Sequence, residues 1–197
     1  MSKGLIIILV IIGALILIVG WGTGIYNDLV SKDQGVKTAW SQVENQYQRR
    51  LDLIPNLVET VKGFAKQEKE VLNGVTEARA SVGQMKVTPE MLNNPQAFQQ
   101  FQQSQDGLSS ALSRLMVVVE KYPELKSNQN FLELQSQLEG TENRIAVERR
   151  NFNETAKEYN TKIRQFPANM IANFGGFREA QYFQSAAGAD KAPQVKF

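Results

Sequence analysis

Residues 4–27 carry no charged side chain, and the run from Leu5 through Val19 to Trp21 is almost wholly apolar. A helix rises 1.5 Å per residue, so roughly 20 such residues cross a hydrocarbon core of ~30 Å. A chain with this segment cannot fold as one compact globule in water without burying an unusually long, uncharged helix. The run therefore reads as a membrane-spanning helix containing Leu5, Val19 and Trp21, and the lipid bilayer is its first partner. Trp21 and Tyr26 lie where an aromatic interface belt belongs. A cleaved signal peptide is the competing reading, with Gly22-Thr23-Gly24 as a small-x-small site. The apolar stretch is longer than an ordinary signal core, however, and only Lys3 and the amino terminus precede it. Gly20, Gly22 and Gly24 lower helix propensity at the end of the span and predict a flexible exit.

The remaining chain is long enough for one domain. Setting Lys3 aside leaves 21 basic against 20 acidic side chains. That balance gives no electrostatic footprint for nucleic acid or an anionic surface. The chain has no cysteine and no histidine. Disulfides, thiolate nucleophiles, Ser–His–Asp triads, Cys/His zinc sites and Glu-x-x-His di-iron bundles are thereby excluded, so no cofactor or metal is expected. No small-molecule substrate can be identified. The lack of cysteine suits an extracytoplasmic domain, whereas the Lys/Arg bias around the span nearly cancels and leaves the topology open.

From Leu29 to Phe166 the pattern is helical. Phe98, Phe101, Gln105, Leu108, Leu112, Leu115, Val119 and Tyr122 recur at alternating steps of three and four, one packing seam with a single polar member. Asn94-Pro95 opens this helix and Pro123 closes it. A second seam runs from Phe131 through Leu138, Thr141, Ile145, Phe152, Ala156, Tyr159 and Ile163 to Phe166, where Pro167 stops it. A third covers 28–82, with Pro55 inside; one residue is too short to reverse a chain, so a kinked continuation is expected there in preference to a hairpin. The polar stretch 83–95 is the main loop. The predicted fold is all-α: an N-terminal transmembrane helix (1–27), then a long antiparallel up-and-down helical bundle (28–180) of three long helices, four if broken at Pro55, and a disordered polar tail (181–197).

Four clusters could carry chemistry. Arg49, Arg50, Asp52, Asn56 and Glu59 gather around Pro55. They form either a contact for a partner's carboxylate or anion, through bidentate arginine, or a structural polar cluster in which Asp52 or Asn56 caps the groups that Pro55 leaves unpaired. The structural alternative is favoured. Glu68, Arg79 and Glu148 are polar members of otherwise apolar seams, either register-setting ion pairs or solvated edges. Glu142 with Arg149, and Arg144 with Glu148, read as surface pairs. The apolar Phe166–Phe177 segment either lies back on the bundle as a short cap or docks on a membrane or partner; Gly175-Gly176 in it lacks the strand and Lys-Ser/Thr of a phosphate loop.

Taken in order, Val36-x-x-Ala39-Trp40-Ser41-Gln42-Val43, Arg49-Arg50-x-Asp52-Leu53-Ile54-Pro55-Asn56-Leu57-Val58-Glu59, Glu120-x-Tyr122-Pro123-x-Leu125-Lys126, Asn130-Phe131-x-x-Leu134-Gln135, Thr141-Glu142-Asn143-Arg144-Ile145-Ala146 and Phe166-Pro167 resemble the LemA family of bacterial membrane-anchored helical proteins. The resemblance is co-linear over about residues 20–180. It implies one N-terminal membrane helix, an antiparallel bundle and no established catalytic residue. A magnetosome-forming relative implies a membrane-organising role, and recurrent neighbourhood with a membrane metalloprotease implies envelope quality control. The expectation is thus a non-enzymatic, single-pass scaffold in the bacterial inner membrane, its bundle extracytoplasmic. It would act through helix–helix contacts as a homo-oligomer or on an envelope protein partner. An adaptor or regulator of a membrane protease or envelope stress system is the alternative.

Overall fold

A computed structural model describes residues 3–85 and 88–184. Among the described residues it shows an all-α bundle built from six α-helices and one 3₁₀ turn. Helix α1, Lys3–Phe64, is 62 residues long and joins the apolar run to the bundle without interruption. Helix α2 is Lys69–Gly83, and a 3₁₀ turn at Pro89–Asn93 leads into α3, Pro95–Val119. A single turn, α4 (Pro123–Lys126), connects to α5, Gln129–Arg164, and a short α6, Ala168–Gly175, follows. Residues 177–184 follow without helix or strand.

The first third of α1 is bare. Leu5 is 49% exposed, Leu17 74%, Val19 62% and Trp21 59%, so no part of the bundle covers them. The expected flexible exit is instead helical. Thr23 donates its hydroxyl to the Gly20 carbonyl at 2.9 Å, and a side chain at Gly22 would come within 4.0 Å of Ile171 on α6. Contact with α6, with helix cooperativity, outweighs the weak propensity of three glycines.

Beyond Leu29, the residues of α1 at three- and four-residue steps (Val36, Trp40, Val43, Tyr47, Ile54, Leu57, Val61) face inward and are buried. α5 runs antiparallel to α1, as the Lys162–Asp28 ion pair at the base (2.8 Å) and the Arg50–Glu142 pair at mid-height (2.8 Å) establish. α3 runs parallel to α1, with Phe98 against Trp40 and Gln105 against Arg50. The chain passes through Pro55 without reversing. The break falls at Ala65–Glu68 instead, and this corrects the continuous 28–82 helix. Past Val61 and Ala65, the sequence Lys66-Gln67-Glu68-Lys69-Glu70 offers nothing apolar, and a straight continuation would carry Leu72, Val75 and Val82 into water. Folding back buries all three against Ile54, Leu57, Val61 and the apolar side of α3.

Caps match the starts of the long helices. Asn94 Oδ1 accepts from the amides of Gln96 and Ala97 (both 3.1 Å), with Pro95 at the first position of α3. Asn128 Oδ1 accepts from the Phe131 amide at 3.1 Å.

The core divides in two. Near the span it is aromatic: Trp40, Tyr47, Phe98, Phe101, Phe152, Tyr159 and Phe183. At the far end it is mainly aliphatic, with Ile54, Leu57, Leu108, Leu112 and Leu115 around the single ring of Phe131. The chain is packed through Gln184, past the expected boundary at 180, because Ala180 and Phe183 enter the aromatic half. Residues 185–197, the rest of the expected tail, lie outside the described residues.

Candidate functional site

Between the two half-cores lies a polar layer centred on Arg50, whose side chain is 2% exposed. Its position follows from helix periodicity: Tyr47, Arg50 and Ile54 are successive inward positions of α1. Burying a guanidinium is costly unless its donors are matched. Here Nη1 donates to Ser109 Oγ and Glu142 Oε1, each at 2.8 Å. Nη2 donates to the Gln105 carbonyl at 3.4 Å and to Gln105 Oε1. Nε has no partner among the described residues, and neither does the buried Tyr47 hydroxyl. The guanidinium carbon sits 5.2 Å from the centre of the Tyr47 ring, a cation–π contact. Burial pushes the Tyr47 phenol up to about 12, against the smaller opposing pull of Arg149 and Arg50.

One arginine thus joins α1 to α3 and α5. The polar residues interrupting the seams of α3 and α5 fall at its level: Gln105 is its acceptor, and the buried Thr141, whose hydroxyl returns to the Gln137 carbonyl at 2.7 Å, precedes Glu142. Glu142 is 39% exposed because it stands at the mouth of a cleft of about 450 Å³ between α3 and α5, also lined by Ser109, Leu112, Gln135, Leu138 and Asn143. The guanidinium does not line the cleft; it is reached through its hydrogen-bond partners Ser109 and Glu142, which do. The expected surface pair between Glu142 and Arg149 is not made. Arg149 instead lies 4.5 Å from the Phe183 ring centre and donates to the Gln184 carbonyl at 3.2 Å. Glu148 accepts from Asn151 rather than from Arg144.

The other members of the 49–59 cluster are not gathered with Arg50. Arg49, Asp52, Asn56 and Glu59 are exposed. Asp52 accepts from Gln48 Nε2 at 2.8 Å, and Glu59 pairs with Lys62 at 3.0 Å. Neither Asp52 nor Asn56 caps the proline break. Pro55 has no amide hydrogen to give the carbonyl four residues earlier, that of Leu51. Arg79 of α2 supplies the donor from outside the helix, with Nε 3.0 Å from Leu51 O. This is why an arginine occupies the apolar seam of α2. Glu68 accepts from the Tyr122 hydroxyl at 3.1 Å and ties the α1–α2 turn to the end of α3.

A further polar arrangement carries no sequence motif. The 177–184 segment lies along α5, and side-chain amides pair with both backbone groups of three of its residues. Asn160 donates to the Ala180 carbonyl (2.8 Å) and accepts from the Ala180 amide (2.9 Å). Asn153 does the same for Phe183 (3.0 and 2.9 Å), and Gln102 for Gln184 (2.9 and 3.2 Å). The Tyr159 hydroxyl donates to the Arg178 carbonyl at 2.9 Å. Phe183 then inserts among Trp40, Phe98 and Phe152, ring centres 5.0–5.9 Å away. The seven-residue step from Asn153 to Asn160 on one face of α5 is the signal sequence reasoning could have used.

The family model described as "LemA family" matches residues 39–197. "Magnetosome protein MamQ 2" of Paramagnetospirillum magneticum is 29% identical over 181 residues, covering 84% of this chain and 66% of the relative. "Magnetosome protein MamQ" of Magnetospirillum gryphiswaldense is 28% identical over 189 residues, 86% of this chain and 70% of the relative. "Protein LemA" of Metamycoplasma hominis is 23% identical over 163 residues, 81% and 69%. The chain spans about two thirds of the length of these relatives. With a family match that takes in α3, α5, the buried Arg50 and the 177–184 segment, the chain belongs to the LemA family.

Proposed function

We propose that this protein is a non-enzymatic structural component of the bacterial inner membrane. It would be anchored by one pass of α1, with its bundle on the extracytoplasmic side, and would organise itself or other envelope proteins through helix–helix contacts. The observation that carries this reading is α1 itself. Its apolar run is uncovered by any part of the bundle, and the same helix continues into the bundle as a wall. Relatives named for the magnetosome favour a structural part over a catalytic one. The buried Arg50 layer fits that part: both Nη groups of its guanidinium are engaged within the fold, so it fixes the register of three helices.

Cross-linking of the full-length protein in native membranes, followed by native sizing and mass spectrometry, tests the reading. Discrete homo-oligomers, or an adduct with a defined envelope protein, are expected. A strictly monomeric, partner-free chain would overturn it. A defined membrane protease as the sole adduct would replace the scaffold with an adaptor.

A further inference from the structure

We propose that α6 is an interfacial helix that seats its outer face in the headgroup–acyl boundary of the bilayer crossed by α1. The proposal rests on the reading of α1 as a membrane span. Met170 and Phe174, four residues apart along one side of α6, and Phe166 in the turn just before it are 64%, 97% and 81% exposed. The opposite side, Ala168 and Ala172, is buried on the bundle. Amphipathic helices of this kind lie in the membrane plane with the apolar face sunk at the headgroup boundary.

The position of α6 identifies lipid as the occupant. Ile171 packs at Gly22 of α1, and Gly175 would meet the Tyr26 ring if it carried a side chain. Phe177 meets the same ring edge-on at 5.7 Å. α6 is therefore level with residues 22–26, immediately beyond the bare apolar run and beside Trp21 and Tyr26, where aromatic belts sit. From Gln165 to Phe177 the chain carries no charge. Charges resume at both ends of this stretch, in the Arg164–Glu179 ion pair and then in the Lys162–Asp28 and Lys32–Glu158 pairs at 2.8 and 3.7 Å, so the uncharged segment is bounded by ion pairs. Two glycines hold the helix there. Gly175 leaves room for Phe177, which a Cβ would approach to 2.8 Å, and Gly176 ends the helix at φ +73°.

The chain has no cysteine, so single labels can be placed on the full-length protein in phosphatidylcholine–phosphatidylglycerol vesicles. Environment-sensitive fluorophores at Met170→Cys and Phe174→Cys should emit at blue-shifted wavelengths. Nitroxides near the lipid headgroup should quench them several-fold more than nitroxides deep in the acyl chain. A label at Leu17→Cys, within the span, should show the reverse depth preference, and one at the exposed Val117→Cys on α3 should remain aqueous. Labels at 170 and 174 as aqueous as 117, with 17 still quenched by lipid, would overturn the interfacial helix and leave the anchor standing. Absence of quenching at 17 would overturn both. A blue shift at 170 and 174 without lipid quenching would show that protein, not lipid, covers the face.

Discussion

Glu142 is the only carboxylate seen bonded to the buried guanidinium of Arg50 among the described residues, and Glu142→Ala would leave that charge facing Ser109 and Gln105 alone. At an effective dielectric near 20, two unit charges about 4 Å apart attract by about 4 kcal/mol. Glu142 is 39% exposed and the cleft admits water, so screening reduces the cost. We expect Glu142→Ala to destabilise the bundle by about 2–3 kcal/mol, below the ~3–5 kcal/mol of a fully buried broken pair. Glu142→Gln keeps an acceptor and should cost only about 1 kcal/mol. Arg50→Met removes the charge while filling the space of its stem, so the double change Arg50→Met/Glu142→Ala should cost about 2 kcal/mol less than the sum of the two. Urea denaturation of the full-length protein in mild detergent, followed by helical circular dichroism, measures all four corners of the cycle. A Glu142→Ala variant within 0.5 kcal/mol of the parent (roughly the spread of neutral surface changes), or an additive cycle, would refute the claim that this pair neutralises a buried charge.

Arg79→Leu should cost about 1–3 kcal/mol by leaving the Leu51 carbonyl unpaired, and that cost should largely vanish in a Pro55→Ala background, where residue 55 regains its amide donor; equal costs in both would show that Arg79 acts otherwise. Phe183→Ala empties the aromatic half-core and should cost about 3–5 kcal/mol. Asn160→Leu should release the Ala180 backbone, read as accelerated hydrogen exchange at 178–184 while the α5 amides above Asn153 keep their protection; uniform exchange across both segments would contradict the amide-pairing account. Tyr47 and Tyr159 both have phenols that burial raises to about 12, above the ordinary value of 10. The folded state disfavours their ionised forms, so their contribution is complete below pH 10 and is lost as pH rises towards 12. Stability should fall steeply over that interval, and Tyr47→Phe should soften the fall without weakening the bundle at neutral pH.

The architecture was largely legible because burial follows helical period so closely here. Seam residues such as Leu108, Leu115, Phe131, Phe152 and Ile163 are buried. The turn at Ala65–Glu68 was not, since no proline or glycine pair marks it; only the polar run 66–70 before Leu72 does, and the payoff for turning lies in α3, distant in sequence. The sequence groups Arg50 with its charged neighbours because Leu51 also fits a three–four rhythm between Tyr47 and Ile54. Period alone cannot choose between adjacent residues when both steps are allowed, and the choice is made by acceptors on two other helices. The role of Arg79 was hidden for a similar reason, its partner being a backbone carbonyl freed by a proline 24 residues earlier. The strap at 177–184 has no periodicity of its own, and the amides that hold it belong to helices read for their apolar faces.

The uninterrupted course of α1 gives the molecule a mechanical property. α1 runs from the proposed span into the bundle wall as one helix, with Pro55 inside the packed part, so a tilt of the span carries the wall with it. From Tyr26 to Phe64 the helix extends about 57 Å. A tilt of the span by about 20°, ordinary for a helix matching its length to a bilayer, would swing the far end sideways by about 20 Å. The thickness of the surrounding membrane would thereby set the reach and lean of the bundle tip, and a change of lipid would move the α1–α2 turn without altering any contact inside the fold.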